Sequence, residues 1–108
     1  MTSQQRREVE DLYRRGIAAM KAERNEDAVR YWELVYSIDP DYEQVKEYLK
    51  REYLLGGMDS FAAGELEAAV AYWEKALRLD PTDEKTMGYL TRAREQLSRT
   101  REILSGKD

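Results

Sequence analysis

The sequence predicts an all-α protein of two antiparallel helical hairpins and a closing helix, and three observations predict it. One segment is written twice: Ala28-Val29-Arg30-Tyr31-Trp32-Glu33, running on to Asp39-Pro40, returns as Ala69-Val70-Ala71-Tyr72-Trp73-Glu74, running on to Asp80-Pro81. The offset is constant at 41 (69 − 28, 73 − 32, 81 − 40), and seven of the thirteen positions from Ala28 to Pro40 are identical across it. The only two Trp and the only two Pro residues fall in register. Such a period marks stacked supersecondary units. Between these landmarks apolar residues recur at spacings of three and four, the mark of one buried helix face. Finally, 37% of residues are charged and clusters of strand-favouring residues are missing.

Along the chain, Thr2 or Ser3 is placed to cap a first helix whose inner face carries Val9, Leu12, Tyr13, Gly16, Ile17 and Met20. Asn25 suits the N-cap of a second helix, with Glu26 and Asp27 in its first turn and Ala28, Val29, Trp32, Val35 and Tyr36 inward. Asp39-Pro40 ends it, because a residue before proline is pushed out of helical geometry. A third helix is expected over about 41–62, burying Tyr42, Val45, Tyr48, Leu49 and Phe61. Gly56-Gly57 lies inside it, at a cost of about 1 kcal/mol per glycine relative to alanine. Two readings are open there: a continuous helix approached closely by its neighbour, or a break into two shorter helices.

Gly64 marks the turn into a fourth helix over 65–79, which buries Leu66, Ala69, Val70, Trp73, Ala76 and Leu77 and ends at Asp80-Pro81. Thr82 or Asp83 caps the last helix, which reaches Ile103 or Leu104 with Met87, Leu90, Ala93, Leu97 and Leu104 on its apolar side. Arg92, Glu95, Arg99 and Glu102 are spaced to pair along its other side. Ser105-Gly106-Lys107-Asp108 is expected to fray. The whole is one domain, residues 1–108: repeat one about 3–40, repeat two about 41–81, capping helix about 82–105.

Composition narrows the function. The net charge is −4, with 13 acids against 6 bases in residues 25–81, whereas a nucleic-acid surface needs a basic stripe. Tyr31, Tyr42 and Tyr72 have acidic neighbours, which disfavours a stacking platform for single strands. With no Cys and no His, thiol and imidazole chemistry and most zinc or iron sites are removed. Acidic pairs such as Glu65 with Glu67 or Asp39 with Asp41 lack calcium-loop spacing and read as helix caps. The expectation is no enzyme, no cofactor, no metal, no nucleic acid and no membrane insertion. A cytoplasmic location is the default, with the periplasm or a larger parent chain as alternatives if the sequence is a piece of one.

These residues resemble the tetratricopeptide repeat (TPR) family, whose pattern runs W-x₂-L-G-x₂-Y, then A-x₃-F, then P. The second unit has Tyr53-x₂-Gly56-Gly57-x₂-Ser60, Gly64 at the turn, then Ala69-x₃-Trp73-x₂-Ala76-x₄-Pro81. The first has Leu12-x₂-Arg15-Gly16-x₂-Ala19, then Ala28-x₃-Trp32-x₂-Val35-x₄-Pro40. Small residues (Gly16 with Ala28, Gly57 with Ala69) let the helices of a hairpin approach, and each Trp fills the gap to the next hairpin. The family period is 34 and this one is 41; seven extra residues are about two helical turns, read as an elongated first helix in each hairpin. Leu97-Ser98 stands where a third unit would repeat the glycine pair, so the last helix reads as a cap.

The resemblance implies a right-handed antiparallel helix-hairpin solenoid that acts as a scaffold or adaptor, binding a peptide or amphipathic helix in a concave groove. Carried onto this sequence, the groove residues are Tyr13, Ile17 and Met20 from the first hairpin and Leu54, Met58 and Phe61 from the second. The set is apolar and lacks the Lys, Arg and Asn clamp with which some members hold a carboxylate, and Asn25, the only Asn, is expected in a turn. Two alternatives stay open: these side chains are ordinary core, or the same face pairs with a second copy in a homodimer or higher oligomer, since repeat arrays generally need about three units.

Overall fold

The computed structural model describes residues 1–106. It is all-helical over those residues, with α1 Ser3–Lys21, α2 Asn25–Ile38, α3 Val45–Ala62, α4 Leu66–Leu79 and α5 Glu84–Leu104. The chain divides into two compact units, Met1–Glu52 and Tyr53 onward, with the boundary inside α3. The long helices α1 and α3 have 19 and 18 residues against 14 in α2 and in α4, as the lengthened period implies.

In the first unit Thr2 caps α1. Its hydroxyl accepts from the Gln5 N–H and the Gln5 side chain returns a bond to the Thr2 N–H, a closed capping box. The helix stops where Glu23 turns left-handed at φ 62°, and the Arg24 N–H reaches back to the Ala19 carbonyl at 2.8 Å. This tight exit shifts the expected cap. Arg24, not Asn25, holds the cap position of α2, without a side-chain cap bond, and Asn25 is already helical. Ala28, Trp32 and Val35 are buried on the inner face of α2, and Asp39 ends it.

The third helix begins at Val45, four residues after the expected 41. Glu43 sits at φ 45°, which no residue of a right-handed helix adopts, and turn bonds run from the Tyr42 N–H to Asp39 and from the Val45 N–H to Tyr42. The matching stretch before α5 shows the cause. There Asp83 accepts from the N–H groups of Lys85 and Thr86 and from the Thr86 hydroxyl. Its counterpart 41 residues earlier, Tyr42, has no carboxylate to offer the first turn.

In the second unit α3 runs unbroken through Gly56-Gly57, so the continuous-helix reading holds. Gly64, at φ 81°, makes the turn to α4, and the Glu65 N–H bonds the Ser60 carbonyl. Ala69, Trp73, Leu90 and Ala93 form a buried cluster of α4 and α5, with Leu54, Phe61, Val70, Leu77 and Tyr89 packed around it.

The apolar side of α5 differs from expectation: Met87 and Leu104 are exposed, while Thr86, tied to Asp83, is fully buried. Nor do Arg92, Glu95, Arg99 and Glu102 form the expected ladder among the described residues. The α5 ion pairs reach α4 instead, Arg94 to Glu74 at 2.6 Å and Arg101 to Glu67 at 2.9 Å, because acidic partners lie within reach there. Ser105 and Gly106 close α5 in a turn, Gly106 at φ 76°; Lys107 and Asp108, expected to fray, lie outside the described residues.

Candidate functional site

The same three-part arrangement is built once in each unit. In the first, Gly16 of α1 faces the Trp32 indole: a β-carbon on Gly16 would lie 2.5 Å from Cδ1. On its other side the indole stacks on Tyr48 of α3, with ring centroids 4.9 Å apart and planes within 18°. In the second, a β-carbon on Gly57 would lie 2.6 Å from Cδ1 of Trp73, and Tyr89 of α5 packs on that indole at 5.3 Å. Gly56 gives the same clearance to the Tyr72 ring, 2.8 Å from the β-carbon it lacks. The glycines therefore make room for aromatic rings, and it is a ring rather than a neighbouring backbone that fills the notch. Both indoles are buried.

This core decides how much of the expected groove is left open. In the first unit, Tyr13 is half-buried with its ring edge-on to Tyr42 at 5.2 Å and tilted on Tyr48 at 6.1 Å. Burial raises its phenol pKa above the ordinary value, opposed by the Gln44 backbone N–H, which favours the charged form. Burial raises that of Tyr42 as well, helped by the Glu10 and Glu43 carboxylates. Ile17 is half-buried. Met20 is too, and its Sδ accepts from the Arg51 guanidinium at 3.1 Å. Much of the first set is thus engaged by side chains of its own unit.

In the second unit, Leu54 and Phe61 pack against the Trp73 cluster, and the Leu54 carbonyl accepts from the Trp73 indole N–H at 3.3 Å. Met58 is different: it is 46% exposed. Leu55, not singled out from the sequence, is equally exposed and stands three residues before Met58 on α3, the spacing at which helix neighbours touch. That spacing was the available signal; Leu55 lies one row off the face assigned by family pattern. Met87 on α5 is 41% exposed.

Among the described residues no group of three or more acidic side chains could hold a metal ion, and no helix is long and apolar enough to cross a membrane. Compared with protein-family models, with curated proteins and with solved structures, the chain matches none.

Proposed function

We propose that this chain is a non-catalytic protein–protein interaction module, a TPR-type solenoid with lengthened first helices and α5 as its cap, which takes up an amphipathic helix or peptide on an apolar face of α3. What supports the repeat family is the twofold Gly–Trp–Tyr arrangement, Gly16–Trp32–Tyr48 and Gly57–Trp73–Tyr89, at the offset of the sequence repeat. Supporting the cap is the charge at Glu95, Arg99 and Glu102, which stand 41 residues after Leu54, Met58 and Phe61.

The observation that carries the binding reading is Met58 with Leu55. Two large, exposed apolar side chains side by side on a glycine-bearing helix are what an incoming apolar helix face would cover. The test uses a displayed library of amphipathic helical peptides selected against the wild-type chain. Binders should lose affinity for Leu55→Glu/Met58→Glu while circular dichroism of the double variant stays helical. Binders that hold the folded double variant equally well would refute the assignment.

A second reading, self-association, is favoured by the exposure of Leu55, Met58, Met87, Ile103 and Leu104 within one unit. Light scattering on a sizing column at high micromolar concentration decides it; a strict monomer rules self-association out.

A further inference from the structure

The two units repeat one sequence pattern at an offset of 41, so differences at matched positions compare their resistance to opening. At the turn of each hairpin the chain needs a left-handed residue. The second unit supplies Gly64 at φ 81°, whereas 41 residues earlier Glu23 is held at φ 62°, a region its β-carbon disfavours. At the start of the helix that follows the proline, Asp83 binds two backbone N–H groups and the Thr86 hydroxyl. The side chain of its counterpart Tyr42 does neither, and the next residue, Glu43, is again left-handed at φ 45°.

Inside the core the contrast repeats. The Trp73 indole N–H bonds the Leu54 carbonyl, but the Trp32 indole N–H is buried with no hydrogen-bond partner. At the end of the Trp-bearing helix Leu79 is buried, and its counterpart Ile38 is 43% exposed. All four differences point the same way. Against them stand the additional ring contact of the first unit, where Tyr42 and Tyr48 flank Tyr13, the Thr2 capping box, and Val35, buried where the second unit has the smaller Ala76. Two strained backbone positions, a missing Asp83-type cap and an orphaned donor outweigh these.

We propose that the α1–α2 hairpin is the labile part of the molecule and opens, by local unfolding, while α4 and α5 remain folded. Native proteins do open in cooperative parts whose stabilities differ, and parts drawn on for conformational change come from the low end. The proposal is independent of what binds α3.

Hydrogen–deuterium exchange of the full chain, followed by mass spectrometry of its peptides at low urea, tests it. Amides of residues 9–20 and 28–38 should exchange at least about ten-fold faster than those of residues 69–79 and 88–97. Equal rates, or faster exchange in α4 and α5, would overturn the proposal. A second variant guards against a difference of intrinsic rates alone. Glu23→Gly removes the strained turn residue and should slow exchange in α1 and α2 several-fold, leaving α4 and α5 unmoved. Equal slowing in both units means that the chain opens all at once, and no slowing means that the turn is not the weak point; either refutes it.

Discussion

The Trp32 indole occupies the space that a β-carbon on Gly16 would need, and Trp73 and Gly57 repeat the relationship 41 residues on. In each unit a glycine without a side chain, a buried indole and a tyrosine ring lie in one stack, drawn from three successive helices. The glycine's helix-propensity cost, about 1 kcal/mol, is offset by an indole buried against bare backbone.

Gly16→Ala and Gly57→Ala should therefore destabilise the protein, although alanine is the better helix former. A methyl group at either site meets a ring enclosed on its other side by Tyr48 or Tyr89, and overpacking of this kind costs about 1–3 kcal/mol. Gly88 of α5 is the control. Nothing lies within 4 Å of the β-carbon it lacks, so Gly88→Ala should stabilise by about 0.5–1 kcal/mol. Urea denaturation of the three variants checks the opposite signs, and a stabilising Gly57→Ala would remove the notch from the account of the fold.

Ala69→Leu probes the packing around Trp73 from within α4. Ala69 is fully buried beside Trp73, Leu90 and Ala93, so three extra carbons have no space without moving the indole. A loss of roughly 1–3 kcal/mol is expected. An unchanged melting temperature would mean that the cluster yields at no cost.

What the sequence disclosed and what it withheld separate along physical lines. The doubled motif, the Asp-Pro stops and caps narrowed to Thr2 or Ser3 and to Thr82 or Asp83 were readable because each rests on local backbone preference or on a period. At Gly56-Gly57, by contrast, two readings stayed open, and it is the unbroken α3 that decides between them. The fill of the glycine notch was not, since spacing places a small residue at a crossing without saying whether a backbone or a ring approaches it. The late start of α3 was hidden because it depends on Glu43 adopting a left-handed conformation, which an L-residue avoids. At the candidate site, the family resemblance assigned Tyr13 of α1 and Leu54, Met58 and Phe61 of α3 to a groove but could not say which of them neighbours within their own unit cover. Met87 and Leu104 of α5 failed similarly: their period matched a buried face, yet both remain exposed.

The two tryptophans should respond unequally to the same truncation. Phenylalanine removes part of the buried ring in either place, but only Trp73→Phe also deletes a hydrogen bond, to the Leu54 carbonyl. Trp32→Phe deletes a donor that has no partner. The second unit should thus lose about 1 kcal/mol more than the first, the net worth of an ordinary hydrogen bond. Each variant retains one tryptophan, so its fluorescence follows the urea transition; equal losses would show that the asymmetry of the two indoles carries no energy.

Alkaline pH should weaken the first unit through Tyr13 and Tyr42. Burial raises both phenol pKa values above that of a free tyrosine, so the folded chain holds their protons at a pH where the unfolded chain has released them. Their contribution is complete below pH 10, the unfolded value, and is lost progressively as pH rises towards and through the folded-state values. Urea midpoints read by circular dichroism at pH 9 and pH 11 should fall for the wild-type chain and fall less for Tyr13→Phe/Tyr42→Phe, which has no phenol at either position. An identical fall in both would assign the alkaline weakness to groups other than this ring cluster.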